Sequence, residues 1–280
     1  MVHVVAHRGL RSQFPENTLE AVAAALRCPG VHGVEFDVEL SRDGKPAVLH
    51  QETVVPNSKM TAVEPASRNF TSRDWVIEND LGSITRLDAG SWMGDEFAQI
   101  RVPTLQQMLD LPWGNVTAYV ELKDATFWGA RDLARPAKVV AAAYKDIAEF
   151  SGRVNVISFN PEILRELHRR LPQIPTTLAL WTEWSGRASD ALRLATGCDA
   201  SALTLPDVLV LSEPEWIEAA HREGLGLHVY PVSPARGEPA FDSWTAESQY
   251  DKWSTLASLG VDALVSDFTA ETLNLLSSQA

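Results

Sequence analysis

Eight short apolar runs, rich in β-branched residues, alternate with helical stretches along this chain, and that alternation constrains its fold more than any other feature. The runs cover residues 2–6, 34–40, 118–122, 154–158, 177–181, 203–205, 227–230 and 263–265. Asn17, with Glu20 three positions on, reads as a capped helix start, and Leu19, Val22 or Ala23, and Leu26 then share a face. Pro103-Thr104 opens a second helix running to about Leu111, and further helical stretches cover 136–150, 162–171, 214–223 and 250–259. Gly224 and Gly260 close two of them. Repeated β–α units with this strand number predict an α/β fold, a closed parallel (β/α)8 TIM barrel, as a single domain over 1–280.

Two segments depart from the rhythm. Arg42-Asp43-Gly44-Lys45 is a turn signal followed by a short apolar return over 46–50. A hairpin there places His50 roughly opposite Phe36 or Asp37. Residues 51–102 then hold polar residues, turns and scattered aromatics (Phe70, Trp75, Trp92, Phe97), and read either as a small insertion over the C-terminal rim of the barrel or as a surface excursion with its own aromatic cluster.

Charge and composition exclude several functions. A net charge of -13 argues against nucleic acid or an anionic membrane as a partner, since both select clustered Lys and Arg. No run of eighteen apolar residues predicts a spanning helix, and no export leader precedes Val2-His3-Val4-Val5, so the expected location is cytoplasmic. Cys28 and Cys198 lack metal-type spacing and read as two reduced thiols. An anionic substrate would also be repelled by the overall field, so its site must be made positive locally, by a cation, Arg8 and Lys123.

In a barrel of this kind the working side chains stand at the C-terminal ends of the strands. His7 follows the first run, Glu35 and Asp37 share a face of the second, and Glu121 and Lys123 share a face of the third. Ser158, Trp181, Tyr230 and Asp267 close later strands. Three carboxylates together need counter-charge, either from salt bridges to Arg8 or Lys123 or from a hard divalent cation such as Mg²⁺, Ca²⁺ or Mn²⁺. Zn²⁺ is disfavoured for want of Cys or paired His ligands. His7 and His50 are the proton-transfer candidates. Arg8 can grip phosphate bidentately or pair with Glu35 or Glu121, and Lys123 can neutralise phosphate or hold a carboxylate. Trp181 and Tyr230 either line a pocket or pack at the rim. Glu16 reads as an outer partner of the site and Asn17 as a helix cap. His3, His32, His168, His221 and His228 read as structural.

His7-Arg8-Gly9, Pro15-Glu16-Asn17-Thr18, Glu35-Phe36-Asp37, Asp43-Gly44 with His50, Pro103-Thr104-Leu105 and Glu121-Leu122-Lys123 together resemble the glycerophosphodiester phosphodiesterase family, with weaker echoes at Ser158-Phe159 and Ser266-Asp267. The resemblance implies a metal held by Glu35, Asp37 and Glu121, acid and base roles shared by His7 and His50, and a pocket shaped in part by the insertion. It implies no other cofactor. The implied reaction is hydrolysis of a small glycerophosphodiester, such as a deacylated phospholipid, to an alcohol and glycerol 3-phosphate. Two alternatives stand beside it: a phospholipase D-like lyase forming a cyclic phosphate, and a catalytically silent barrel that binds a phosphorylated ligand. The chain departs from the family pattern at Gln51-Glu52-Thr53, where Asp and an Arg-Thr-Thr stretch are usual, and at Ser266-Asp267-Phe268-Thr269, where Thr-Asp-x-Pro is usual. Both departures bear on substrate choice.

Overall fold

Residues 2–50, 76–124, 135–231 and 243–278 are described in a computed structural model of the protein. Every predicted apolar run is a strand. In chain order the strands are β1 (His3–Ala6), β2 (Gly33–Leu40), β3 (Pro46–Val48), β4 (Thr117–Leu122), β5 (Arg153–Ser158), β6 (Thr176–Ala179), β7 (Ala202–Pro206), β8 (Gly226–Tyr230) and β9 (Ala263–Ser266). Eight of them run parallel in the order β1-β9-β8-β7-β6-β5-β4-β2, and β1 also pairs with β2, which closes the ring. β3 folds back antiparallel on β2 with Val38 opposite Val48. That register, carried two residues further, brings His50 alongside Phe36, as the hairpin reading expects. The fold is therefore a (β/α)8 TIM barrel.

The helices are α1 (Leu19–Leu26), α2 (Leu81–Ile84), α3 (Leu105–Leu109), α4 (Arg135–Glu149), α5 (Pro161–Arg170), α6 (Ala188–Gly197), α7 (Asp207–Ser212), α8 (Glu215–Arg222), α9 (Ala246–Leu259) and α10 (Thr269–Ser278). Side chains alternate across each strand, so one set of residues faces the helices and the other the lumen. Val34, Phe36, Val120 and Val156 pack outward against Val140, Ala143 and Ile147 of α4 and their neighbours. Leu178, Leu203, Leu227 and Leu264 do the same against Trp216 and Trp253. The lumen is filled by Val5, Tyr119, Ile157, Ala179, Ala263 and Val265, and is a packed core, not a channel. Towards the strand starts, His3 stacks on His32 and His228 packs edge-on to Tyr119. Burial, only partly opposed by Asp262, pushes the His228 imidazole down to about 4, as suits a neutral core histidine.

Helix α1 corrects one local reading. Its cap is Thr18, whose hydroxyl accepts from the Ala21 amide, and not Asn17. Helix α3 starts as expected, with a reciprocal cap between Thr104 and Gln107. Of the insertion, residues 51–75 lie outside the described residues, and with them Phe70, Trp75 and Gln51-Glu52-Thr53. Residues 76–102 contribute no barrel strand. Val76, Ile84, Ala89, Ile100 and Val102 form their own apolar cluster with Ala47 and Leu49 of the hairpin. Phe97 meets Phe14, in the loop after β1, edge to face. Cys28 and Cys198 are free thiols. No helix among the described residues is long and apolar enough to cross a membrane.

The loop after β1 is pinned to α1 at Gly9. Its φ is +84°, and a Cβ there would lie 2.6 Å from the Ala21 carbonyl carbon and 2.8 Å from the Val22 nitrogen. A side chain at this position is both strained and blocked by backbone that cannot swing away. Gly9→Ala is therefore expected to lower stability by roughly 2–5 kcal/mol, read as a reduced urea midpoint. An unchanged midpoint would show that the loop accommodates the methyl group.

Candidate active site

Barrel closure brings together residues from opposite ends of the chain. β1 and β9 pair with Ala6 beside Ser266, so the next residues, His7 and Asp267, emerge side by side. The Nδ1–H of His7 donates to Asp267 Oδ1 at 2.6 Å. Arg11 donates to the same oxygen at 2.8 Å, and the Trp244 indole donates to Oδ2 at 3.1 Å. Burial would raise the Asp267 carboxyl, but Arg11 and His7 outweigh it and hold the group far below the usual carboxylate range. The other ring nitrogen of His7, Nε2, lies 3.9 Å from Glu35 Oε2. Burial and the Arg8 charge together lower the His7 pKa, against the pull of Asp267.

Arg8 has φ of +56°, a conformation held by contacts at both ends of the residue. Its amide donates to Glu35 Oε2 at 3.0 Å, and its carbonyl accepts from the Asn17 amide at 3.0 Å. The guanidinium pairs with Glu16 at 2.8 Å and Asp37 at 3.2 Å, and not with Glu35 or Glu121 as the sequence allowed. Glu16 also pairs with Arg11 at 2.7 Å. Burial opposes ionisation of Glu16, yet Arg11 and Arg8 bring its pKa down to about 2. Asn17 is itself part of the site. Its side-chain amide donates to Asp37 Oδ2 at 2.8 Å while its carbonyl oxygen accepts the Asp37 amide at 3.0 Å.

The carboxylates come from two neighbouring strands. β2 and β4 pair with Asp37 beside Glu121, and Glu35 lies two residues earlier on the same face. Each of the three offers a donor oxygen within 4.8 Å of the other two. Lys123 bridges part of the cluster, with Nζ 2.8 Å from Asp37 Oδ1 and 2.5 Å from Glu121 Oε1. Asp37 is held well below its ordinary range, because Lys123 and Arg8 outweigh its burial. Glu35 is pushed well up by burial and by the charges of Asp37 and Glu121. Burial also raises Glu121, only partly offset by Lys123. Glu35 Oε1 is buried with no hydrogen-bond partner. An orphaned carboxylate oxygen facing two more carboxylates is a site short of positive charge, and all-oxygen donors of this kind suit a hard divalent cation.

One cavity of about 230 Å³ at the strand ends receives these groups. His7, Arg8, Glu35, His50, Glu121 and Lys123 line one part of its wall, and Phe159, Trp181 and Tyr230 another. His50 therefore reaches the same space as His7 from the hairpin. Its pKa is driven well below the ordinary histidine range by burial, then by Arg8 and Lys123. All nine site residues expected from the sequence converge here, with Asp37 buried behind the cavity wall. Sequence reasoning did not identify Arg11 or Trp244, and noted Asp267 as closing a strand and as a weak family echo, without assigning it a partner. For Asp267 the signal was available: once the barrel closes, the residue after β9 must neighbour the residue after β1. Trp244 stands in no motif and announces nothing by itself.

Known proteins resemble this chain in sequence and in fold. A glycerophosphodiester phosphodiesterase of Caldanaerobacter subterraneus subsp. tengcongensis is 28% identical over 276 residues, spanning 98% of this chain and 97% of that one. One from Bacillus subtilis is 26% identical over 249 residues, spanning 82% of this chain and 76% of the relative. The crystal structure of a glycerophosphodiester phosphodiesterase from Agrobacterium tumefaciens superposes with a TM-score of 0.67 at 25% identity, covering 98% of this chain and 100% of that one. The fold is also that of an Oleispira antarctica phosphodiesterase solved with its product sn-glycerol-3-phosphate, with a TM-score of 0.72 at 22% identity, covering 98% and 96%. The glycerophosphoryl diester phosphodiesterase family model matches residues 7–271, nearly the whole barrel including every site residue described above, and the chain belongs to that family.

Proposed function

We propose that this protein hydrolyses a glycerophosphodiester to an alcohol and glycerol 3-phosphate, with a divalent cation at Glu35, Asp37 and Glu121 and with proton transfer shared by His7 and His50. The observation that carries the reading is the convergence of two cationic side chains, two imidazoles and the Glu35 and Glu121 carboxylates on one cavity, with Asp37 completing the carboxylate cluster behind its wall. Family membership and the curated relatives named for this activity support it.

The donor set fits a hard cation, since Glu35 Oε1 lacks any partner and burial pushes Glu35 and Glu121 away from ionisation. Such a cation would neutralise the cluster and supply Lewis-acid stabilisation of charge on the non-bridging phosphate oxygens. The side chains divide the remaining work. Arg8 and Lys123 give a cavity in an acidic protein its local positive charge, which attracts the phosphodiester and disfavours protonated imidazoles. An arriving phosphate anion offsets those two charges and raises both histidine pKa values towards the range where proton transfer is efficient. Asp267 fixes the tautomer of His7, keeping the proton on Nδ1 and presenting Nε2 as the exchanging nitrogen.

His7→Ala and His50→Ala are each expected to cost about two to four powers of ten in turnover of glycerophosphodiesters, with an unchanged circular dichroism spectrum. Rates near wild type in either variant would remove that residue from the chemistry. Dialysis against chelator should abolish turnover, and Mg²⁺, Mn²⁺ or Ca²⁺ should restore it. Full activity in chelator would contradict the metal assignment. Asp267→Asn should lower kcat far more than it raises KM, because it misorients the imidazole without touching substrate. An equal loss in KM would place Asp267 in binding instead. Product analysis separates hydrolysis from cyclisation, since glycerol 3-phosphate without a lasting cyclic phosphate is the expected outcome.

A further inference from the structure

Asp267 has more claimants than the orientation of one imidazole requires. Its Oδ1 accepts from His7 Nδ1 at 2.6 Å and from Arg11 at 2.8 Å. The two donors converge on that oxygen, with the Arg11 nitrogen 3.4 Å from His7 Nδ1. They are unequal competitors. A guanidinium carries a fixed charge and its planar fork suits both oxygens of a carboxylate, which a neutral imidazole cannot match. Arg11 is further anchored by Glu16 at 2.7 Å, so it stays in place whichever way Asp267 turns. Left to these two partners, Asp267 gains by rotating its second oxygen towards Arg11 and lengthening its bond to His7.

Trp244 opposes that rotation. Its indole N–H donates to Asp267 Oδ2 at 3.1 Å, and among the described residues it is the side chain that holds this oxygen. Indole is a donor only and carries no charge. It therefore fixes the carboxylate without competing for Oδ1 and without adding to the cationic field around His7. The indole is itself held. Residue 244 directly precedes Thr245, the reciprocally bonded cap of α9. Lys252, further along α9, sets its ammonium 5.5 Å from the centre of the indole ring, within cation–π range. The same ammonium pairs at 3.2 Å with Asp207, the first residue of α7, whose other oxygen accepts from the Val208 amide at 2.7 Å. A chain of contacts thus runs from the end of β7 through Lys252 and Trp244 to Asp267 and His7.

We propose that Trp244 is a positioning residue for proton transfer at His7, acting through Asp267, and that Lys252 and Asp207 hold its ring. The proposal rests on the phosphodiesterase reading above, in which His7 exchanges a proton at Nε2. It adds to that reading residues that lie outside the cavity lining.

Trp244→Phe removes the N–H and keeps a ring for Lys252. In the Mg²⁺-loaded full-length protein it should lower kcat for glycerophosphoethanolamine or glycerophosphocholine, whichever turns over faster, with KM unchanged. The expected loss is roughly 2- to 10-fold, the weight of one neutral hydrogen bond. In an Asp267→Ala background, where the acceptor is gone, Trp244→Phe should change kcat no further. Lys252→Met should cause a smaller loss, and Lys252→Arg, which keeps a cation over the ring, should restore the rate. Wild-type kcat in Trp244→Phe, an equal loss in the Asp267→Ala background, or a rise in KM matching the loss would overturn the proposal. Full rate in Lys252→Met would remove the outer pair from it. If no glycerophosphodiester is turned over, the phosphodiesterase reading fails by itself, and proton NMR decides the positioning role separately. The short Nδ1–H bond to Asp267 should give a far-downfield imidazole proton resonance, assigned by its loss in His7→Ala. Trp244→Phe should move this resonance upfield or lose it to exchange with water, and an unchanged resonance would overturn the proposal.

Discussion

Three carboxylates crowded into a buried site cannot all be ionised without matching positive charge, and much of the strand-end architecture answers that requirement. Glu35, Asp37 and Glu121 have donor oxygens within 4.8 Å of one another. Lys123 and Arg8 relieve Asp37 most, which is why it alone of the three is held ionised with ease. Glu35 and Glu121 remain pushed up by burial, Glu35 with one oxygen unpartnered. Like charges held close in a low-dielectric setting are costly unless something binds between them. The cluster can thus take a cation, and the β2–β4 register that sets Asp37 beside Glu121 is what brings its carboxylates together.

A second constraint is closure of the barrel. His7 lies at the start of the chain and Asp267 near its end, yet the β1–β9 pairing sets them 2.6 Å apart. Orientation of the imidazole therefore depends on the whole ring of strands having formed. Around Asp267, Arg11 and Trp244 complete a set of donors that leaves the carboxylate no reason to turn away from His7. A third connection runs through Asn17. It joins the Arg8 carbonyl to both the amide and the carboxylate of Asp37, tying the loop after β1 to β2.

The strands were legible because a parallel barrel buries both faces of each strand, so they appear as apolar runs that need no partner to be recognised. The site residues were legible from their place at the strand ends together with the family's motifs, whereas the spacing of Glu35 and Asp37 by itself left salt bridging and a cation both open. Helix boundaries and caps were less so. Asn17 carries the signature of a cap, but its positive φ of 58° and its contacts to Asp37 show a side chain recruited by the site, and Thr18 caps instead. Helix α6 and the short helix α7 were not anticipated, since neither has a strong start signal, and Arg187, which precedes α6, makes no side-chain cap. Arg11 and Trp244 could not be found from local pattern, because their roles exist only where distant loops meet at the rim.

The central claim is that the carboxylate cluster is a cation site and not a set of internal salt bridges. Anomalous diffraction from crystals grown with Mn²⁺ tests it most directly. The account predicts a single strong anomalous peak among Glu35, Asp37 and Glu121, absent from crystals of Glu35→Gln grown identically. No peak there, with Lys123 still bridging Asp37 and Glu121 at saturating Mn²⁺, would contradict it.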